Sequence, residues 1–543
     1  MSTSLSSFCA KTCGRAGRHS LPVCMAALAA ALAANIPNAE AFEFASGDLK
    51  GHFDSTLSYG MAWRVEKPDP ALTANVNGNN GDLNYHKGLI SNVVKGTHEL
   101  DMDYRNYGAF FRGTYFYDAK NNNKDELTPQ ARAIIGRHTQ VLDAYVRAAF
   151  TPGDHNLNLR LGNQVVNWGE SLFYQNGLGA ANAVDLNRLR VPGSEIREAL
   201  IPSPMAWSSL QITSRLNVEA LYIFRFEHIK LDACGSYFST TNTFCNGGPK
   251  PLIVGPTPIG TVNLQRAPDV NAKDGGEYGA ALRYVASSLN DTEFGLYYMN
   301  YHMRAPIISA RAPATPAPLS IPTVFAEYPE DITLVGTSFN TDLRLWGLGL
   351  QGEYSYRHNM PFQANISGLL NTALSRTLTA TSKPNEVYDG AVRLDVSQFS
   401  LGMSKDFSSS NPFAADDMQI LVESVASQVH LPPPSQARLQ ANAGTADPDA
   451  FSWGYQLRGT LDYFNVIGPI GLRPSLAFAH DVNGTSPSGG NFIEGRKATT
   501  WGLTASYLNV WSADLAYTHF FGAGTRDTRS DRDFVAANIK YAF

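Results

Sequence analysis

The residues best suited to chemistry lie in one stretch that is rich in opposed charges. Residues 162–207 break the alternating pattern of the surrounding chain. Eight of their side chains are candidate site residues: Trp168, Glu170, Asp185, Arg188, Arg190, Glu195, Arg197 and Glu198. Carboxylates and guanidiniums at close quarters form ion pairs and focus an electric field, and they do not by themselves break covalent bonds. The chemistry expected of this stretch is therefore electrostatic selection.

Covalent catalysis has weaker support in the sequence. Ser171 follows Gly169 and Glu170 but lacks the glycine two positions later that a nucleophile elbow requires. The twelve histidines show no His-Glu-x-x-His motif and no paired spacing for a metal, and no phosphate loop is present. We predict no catalytic residue, no metal site and no cofactor, and a lipid hydrolase that uses Ser171 stays open as an alternative.

Two cysteines in the body of the chain favour a disulfide. Three of the five cysteines lie within the first 24 residues, and only Cys234 and Cys245 follow. An even number in an exported chain favours pairing. The segment between them offers no histidine and no Cys-x-x-Cys spacing for zinc. We predict that a Cys234–Cys245 disulfide holds a surface excursion together.

Composition limits the fold that must position these residues. The chain has 543 residues, a net charge of −5, 43% hydrophobic and 17% charged residues. This hydrophobic content excludes a disordered chain, and no apolar run reaches the roughly 18 residues that a membrane helix needs. Neither the net charge nor a Lys/Arg stripe fits a nucleic-acid binder. A soluble multidomain β protein or a membrane β-barrel remains.

A two-residue period recurs along the chain from residue 49 onward. Phe53, Leu57 and Tyr59 share one face of the first segment, and polar residues occupy the other face. A soluble strand typically has about five or six residues, whereas a tilted membrane strand needs about 9–11. The alternation returns at 107–118, 142–150, 157–161, 218–227, 277–284, 346–357 and 455–463. The alternation alone does not say which face meets lipid. The aromatic residues toward the strand ends, together with the two chain ends described below, predict apolar faces toward lipid and charged faces toward the interior.

The connections between these segments alternate in length. Short turns are expected at 153–155, 287–291 and 465–468. Long polar or Pro-rich connections are expected at about 66–95, 228–273, 303–326, 358–386, 428–450 and 482–496. We predict an all-β chain in which residues 42–543 form a single transmembrane antiparallel β-barrel of sixteen to eighteen strands. Because its charges could not face lipid, the segment at about 168–207 is predicted to fold inward.

The two ends of the chain indicate export to an outer membrane. Lys11, Arg15 and Arg18 precede an uncharged stretch at 21–34 and an Ala-Glu-Ala cleavage motif at 39–41, which predicts a signal peptide over residues 1–41. The last strand alternates and ends on Tyr541 and Phe543, and it resembles the closing strand of bacterial outer-membrane proteins. That resemblance implies contact with outer-membrane lipids and recognition by the outer-membrane assembly machinery of a Gram-negative bacterium.

Inside a barrel the charged segment has three interpretations. Side chains of both signs would form a constriction that selects permeants. The same ion pairs would alternatively brace the wall as a structural plug, and these two roles are compatible. A surface loop is the third possibility.

Several motifs resemble a family of proteobacterial porin-like outer-membrane barrels that is catalogued only as a domain of unknown function. They are found at 53–60 with Trp63 and Arg64, and at 162–171, 189–199, 328–332, 352–357 and 480–484. The resemblance covers the chain from Phe42 onward. It implies two further partners, a periplasmic lipid-carrier-like protein and a resistance-type exporter of the inner membrane, and hence traffic in hydrophobic or amphipathic molecules.

These observations together predict a porin-like channel. Small molecules, amphipathic or hydrophobic in character, would pass through a charge-lined lumen that the inward segment narrows. An adaptor barrel in an export assembly is the main alternative, and an outer-membrane lipid hydrolase is the other. The permeant and its direction cannot be deduced from the residues.

Overall fold

The computed structural model describes residues 42–257, 259–343, 346–432, 438–443 and 447–543. The predicted signal peptide, residues 1–41, lies outside this range.

Eighteen antiparallel strands form a closed ring within the described residues. They are β1 Leu49–Arg64, β2 Gly88–Tyr104, β3 Tyr107–Asp118, β4 Arg137–Phe150, β5 Leu157–Gln164, β6 Ser203–Thr213, β7 Leu216–Ile223, β8 Glu277–Ala286, β9 Thr292–Tyr301, β10 Ile332–Leu343, β11 Leu348–Gln363, β12 Ala391–Asp406, β13 Asp417–Val429, β14 Phe451–Ile467, β15 Ile470–Asn483, β16 Lys497–Tyr507, β17 Trp511–Phe521 and β18 Phe534–Ala542. The number is the upper value of the predicted range, and the all-β prediction is confirmed.

The first and last strands close the barrel. β18 pairs with β1 from Thr56 to Arg64. Phe543 and Ser55 then exchange two backbone hydrogen bonds, of 2.7 and 2.9 Å. Phe42–Ser46 adds a short strand on the same edge of β1, opposite Leu49–Phe53. Both ends of the described barrel therefore lie at one rim, as an even strand number requires.

The two rims differ in the length of their connections. Strand pairs β2–β3, β4–β5, β6–β7, β8–β9, β14–β15 and β16–β17 are joined by short turns at the rim that carries the termini. The opposite rim carries the long connections. One of these, residues 165–202 between β5 and β6, folds into the lumen, and we call it the inward segment.

The outer surface of the barrel is apolar. Phe53, Leu57 and Phe111 are exposed, as are Trp501 and Leu515 on later strands. Tyr541 is covered by neighbouring rings, because its centroid lies 4.5 Å from that of Trp511 and 5.2 Å from that of Phe543. An apolar belt around a closed barrel is the surface that a lipid bilayer requires. The protein is a transmembrane β-barrel, as predicted.

The inward segment ends earlier than predicted. β6 begins at Ser203 rather than at about residue 208. The inward-facing residues here, Met205 and Trp207, are apolar. The stretch therefore does not alternate between polar and apolar residues, which is the pattern that identifies a strand in the sequence. The inner face is apolar because it packs against the inward segment.

The long connections contain their own secondary structure. The helices are α1 Pro70–Thr73, α2 Asn80–Asn84, α3 Ala119–Asn122, α4 Pro129–Ile135, α5 Leu186–Leu189, α6 Ile196–Ala199 and α7 Ile366–Leu378, with 3-10 turns at Ser287–Leu289 and Gly524–Arg526. Small sheets pair Leu252–Thr257 with Gly260–Leu264, Ile307–Arg311 with Thr323–Glu327 and Val387–Tyr388, and Ala183–Val184 with Leu200–Ile201. In the described part of the chain, no helix is long and apolar enough to span a membrane.

Candidate functional site

A carboxylate on β11 anchors the first part of the inward segment. Glu353 faces the lumen, is 3% exposed and accepts hydrogen bonds from the backbone amides of Glu170 (2.6 Å), Ser171 (3.2 Å) and Leu178 (2.9 Å). The segment approaches so closely that a Cβ on Gly169 or Gly177 would overlap the Glu353 carboxylate. Hydrogen bonds to a charged acceptor contribute about 1.5–3 kcal/mol each.

A second carboxylate, on β13, anchors the next turn of the same segment. Glu423 is fully buried and accepts from the Phe173 amide (2.6 Å), the Leu172 amide (3.2 Å) and the Ser171 hydroxyl (2.6 Å). Together the two carboxylates accept from five backbone amides of the segment, of which the Leu178 amide is buried and the others are partly buried. They fix the position of residues 169–178 in the lumen.

The inward segment covers one side of the lumen wall with an apolar layer. Trp168 is 4% exposed, its ring centroid lies 5.9 Å from that of Tyr297, and its Nε1 donates to Glu219 (2.9 Å). Leu178 packs into the same layer. The inner side chains of the strands beneath are buried, and we call them the covered wall: Met205, Leu221, Ile223, Ala281, Met299, Ile332 and Leu334.

The opposite side of the lumen is different in character. Small and hydroxylated side chains of β14–β17 point inward there and remain partly accessible to solvent. We call them the open wall: Thr460, Ser475, Ala477, Thr500, Gly502, Thr504 and Ala516. Within the described residues, none of them forms a hydrogen bond to the inward segment.

Opposed charges form a ladder across the far end of the inward segment. Asp143 pairs with Arg112 (2.6 Å), Arg112 with Glu99 (3.0 Å), and Glu99 with Arg197 (2.8 Å). Arg197 also pairs with Glu195 (2.7 Å), which lies 3.5 Å from Lys540. Burial acts to raise the pKa of Glu195, but Arg197 and Lys540 outweigh it, so this pKa stays below its ordinary value.

The eight predicted site residues separate into two groups. Trp168, Asp185, Arg188 and Glu198 are buried, whereas Glu170, Arg190, Glu195 and Arg197 retain accessible surface. Glu198 contacts Lys95 and accepts from Thr97 (2.7 Å), and Arg188 lies 3.4 Å from Asp185 with its guanidinium 4.6 Å from the Phe116 ring. The buried group has the geometry of a brace, and the accessible group could meet a permeant.

Arg190 and the predicted disulfide belong to one neighbourhood. Cys234 and Cys245 are bonded, with 11 residues of separation. Arg190 lies 3.4 Å from Asp232 and its guanidinium stands 4.5 Å from the Phe238 ring. The disulfide loop therefore packs against the inward segment, in contrast to the surface excursion that was expected. The reason is tertiary, since Tyr237 and Phe238 pack against Phe534 of β18.

The residues that a hydrolase or a metal would use have other partners. The Ser171 hydroxyl contacts Glu423 and the Tyr174 carbonyl (3.0 Å), and no imidazole is among its partners in the described chain. His302, Glu330 and Asp331 are close enough to hold a cation. The Lys273 ammonium already lies 2.9 Å from Glu330 and 3.5 Å from Asp331, so a positive charge occupies that position.

Sequence reasoning missed both anchoring carboxylates as site residues. Glu423 did carry a signal, because it is an isolated acid between Leu421 and Val425 on the same face of β13. An acid among apolar inward neighbours needs a partner from elsewhere in the chain. That partner is a set of backbone amides, which no residue type reveals.

A profile for a family described as "Protein of unknown function (DUF1302)" matches residues 21–543. The chain belongs to this family. The porin-like resemblance stated from the motifs is thereby confirmed, and barrels of this size with an apolar belt reside in Gram-negative outer membranes. This DUF1302 protein is an outer-membrane protein.

A search of solved structures finds proteins that are similar to this DUF1302 chain at low sequence identity. OccAB1 of Acinetobacter baumannii is 10% identical, with a TM-score of 0.44, over 93% of this chain and 98% of that one. OccAB3 of the same organism is also 10% identical, with a TM-score of 0.43, and the match covers 91% of this chain and 99% of that one. The outer membrane protein opdK of Pseudomonas aeruginosa is 10% identical, with a TM-score of 0.42, and the match covers 91% of this chain and 98% of that one. No curated protein sequence matches the chain.

Proposed function

We propose that the protein is a porin-like channel through which small amphipathic or hydrophobic molecules cross the outer membrane. The observation that supports this most is the asymmetry of the lumen. Glu353 on β11 and Glu423 on β13 hold one part of the inward segment, and Lys95 on β2 and Lys540 on β18 pair with another part, whereas the open wall of β14–β17 is left accessible. An inert plug has no need of such an arrangement, because it would pack against the whole wall.

The lining of the proposed passage is amphipathic. On the inward segment, Leu172 and Ile196 are 45% and 70% exposed. Arg197 and Glu195 lie on the same segment, and both are accessible. Apolar side chains beside paired charges would accept a molecule that has an apolar body and a polar group. The charges of the ladder balance one another, so strong selection for one sign of ion is not expected.

Electrical recording from single barrels in a planar bilayer tests this proposal. The purified protein should produce discrete conductance steps, and Ala477→Trp on the open wall should reduce their size. Ala513→Trp, whose new ring would face lipid on β17, is the matched control and should leave the steps unchanged. A correctly folded barrel that never conducts would contradict the channel and favour the adaptor role.

A further inference from the structure

A cavity of about 260 Å³ lies between the inward segment, the inner wall and the disulfide loop. Its wall side is formed by β1, β2 and β18, where Ala62 and Ala536 face each other across the closing strand pair. Residues between 187 and 194 of the inward segment and between 232 and 238 near the disulfide form another side, and Tyr85, Asn121 and Ile135 from two further connections also line it. The cavity is separate from the open wall and from the charge ladder.

Aromatic rings dominate the apolar part of this cavity. Tyr85, Tyr237, Phe238 and Phe534 all line it. Their rings meet edge to face, with centroids 6.0 Å apart for Tyr85–Tyr237, 4.8 Å for Tyr237–Phe238 and 5.4 Å for Phe238–Phe534. Another ring can continue such a cluster in an offset or edge-to-face arrangement, which contributes about 0.5–1.5 kcal/mol beyond area burial.

A polar pair stands at the edge of the same cavity. Arg190 and Asp232 both line it and approach each other only at 3.4 Å. A guanidinium has five N–H donors. In the described part of the chain, Asp232 is the one hydrogen-bond partner of the Arg190 side chain. A hydroxyl group placed here could accept from Arg190 and donate to Asp232 without separating the pair.

The remaining carboxylate of the cavity has no free capacity. Asp118 accepts from the amides of Asn92 (3.1 Å), Lys120 (2.9 Å) and Asn121 (3.0 Å), and also from the side chains of Asn121 and Ser91. Its charge is spread over these donors, and the charge of Asp232 faces that of Arg190. A neutral polar group therefore suits the cavity better than an additional ion.

We propose that this cavity binds a neutral single-ring aromatic molecule that carries a hydroxyl group. A dry cavity of about 150 Å³ is large enough to bind benzene, and drug-sized ligands occupy roughly 300–1,000 Å³, so 260 Å³ suits one substituted ring. Because the cavity lies apart from the open wall, this inference goes beyond the proposed function, and binding at the site does not depend on transport.

Calorimetric titration of the purified, folded barrel with p-cresol tests the site. Saturable binding at one site per chain is expected. Ala536→Phe, which would fill the cavity from β18, should weaken it at least tenfold, and Val191→Phe should do the same from the inward segment. Ala537→Phe is the control, because residue 537 is next to residue 536 in the chain but faces lipid. Its affinity for p-cresol should equal that of the wild type. Retained heat-modifiable migration on gels shows that each variant is folded.

Four results would overturn the inference. An absence of saturable p-cresol binding would remove the site, and full binding by both filled variants would move it elsewhere. If 4-methylcyclohexanol bound as tightly as p-cresol, the ring cluster would not be the determinant. Tighter binding of benzylamine would refute the preference for a neutral group. Because the titration requires no conductance, a barrel that binds p-cresol but stays silent in a bilayer contradicts only the channel.

Discussion

The covered wall and the open wall are formed by similar β-strands, but their inward-facing side chains differ in burial. On the covered wall, inner positions such as Met205, Ile223 and Met299 are fully buried and form a core with the inward segment. On the open wall, Ser475, Ala477 and Thr500 occupy equivalent inner positions and remain accessible. The difference shows that part of the interior of this barrel is a protein core, and the proposed passage would follow the accessible part. Two wall carboxylates, Glu353 and Glu423, determine which part is which.

The largest effect is expected from removing an anchor. Glu353→Ala would leave the amides of Glu170, Ser171 and Leu178 buried without acceptors, at about 1–3 kcal/mol for each amide that stays unsatisfied. The segment should detach from β11, and single-channel conductance should rise about twofold or more as the passage widens. Glu353→Gln keeps one acceptor oxygen and should give a smaller rise. Equal conductance in all three proteins would mean that the segment does not limit the passage.

A matched pair of alanines compares the two walls directly. Ala281→Leu adds volume to the covered wall, where the residue is 2% exposed, and should lower the free energy of unfolding by about 1–3 kcal/mol. Ala477→Leu on the open wall should change it by no more than about 0.5 kcal/mol. Urea unfolding followed by gel mobility measures both. A similar decrease in the free energy of unfolding at the two sites would show that the open wall is packed like the covered wall.

A smaller effect is expected from the charge ladder. Arg197→Gln removes a cation that pairs with both Glu99 and Glu195. Glu99 keeps Arg112 and Glu195 keeps Lys540, but the ladder loses one positive charge, which should shift the reversal potential in a salt gradient modestly toward cations. Arg132→Gln, on α4 in a long connection, is the control and should leave it unchanged. A shift toward anions, or none, would show that permeating ions do not meet the ladder.

The smallest expected effect is a loss of stability in acid that is caused by His228, in the long connection after β7. Burial, together with nearby Lys230, lowers the pKa of His228 to about 4, and its ring centroid lies 4.5 Å from that of Tyr328. The unfolded chain takes up this proton near the ordinary histidine pKa of about 6.5, so stability falls as the pH drops from about 6.5 toward 4.

Thermal unfolding between pH 7.5 and 4 measures this loss. His228→Gln should reduce the acid-induced decrease in melting temperature, whereas His155→Gln at the turn rim should not. If both variants lose stability with acid as the wild type does, the sensitivity resides in other groups.

Much of the fold could be predicted from the residues alone. The alternation around Phe53, Leu57 and Phe111 divided the side chains between two faces, because a period of two assigns each side chain to a face, and the aromatic strand ends and the two chain ends identified the apolar face as the one toward lipid. The inward segment was recognisable because Arg188, Arg190 and Glu198 could not face lipid. The start of β6 was missed, since Met205 and Trp207 pack inward and leave no polar face.

The candidate site was predictable only in part. A list of charged residues does not separate the buried Arg188 and Glu198 from the accessible Arg197 and Glu195, because their burial depends on which strand each one meets. Their role as a constriction stays a prediction. The cavity beside Arg190 was likewise invisible, as its four rings come from three distant parts of the chain.

The amino-acid order by itself determined the transmembrane barrel, the apolar exterior and the segment that must turn away from lipid. Local side-chain chemistry is sufficient for those features, since hydrocarbon rejects charge wherever the charge occurs. Only the tertiary structure decided which arc of the wall is covered. That choice depends on backbone amides meeting Glu353 and Glu423 from residues some 180 and 250 positions away along the chain, and no local pattern encodes such a meeting.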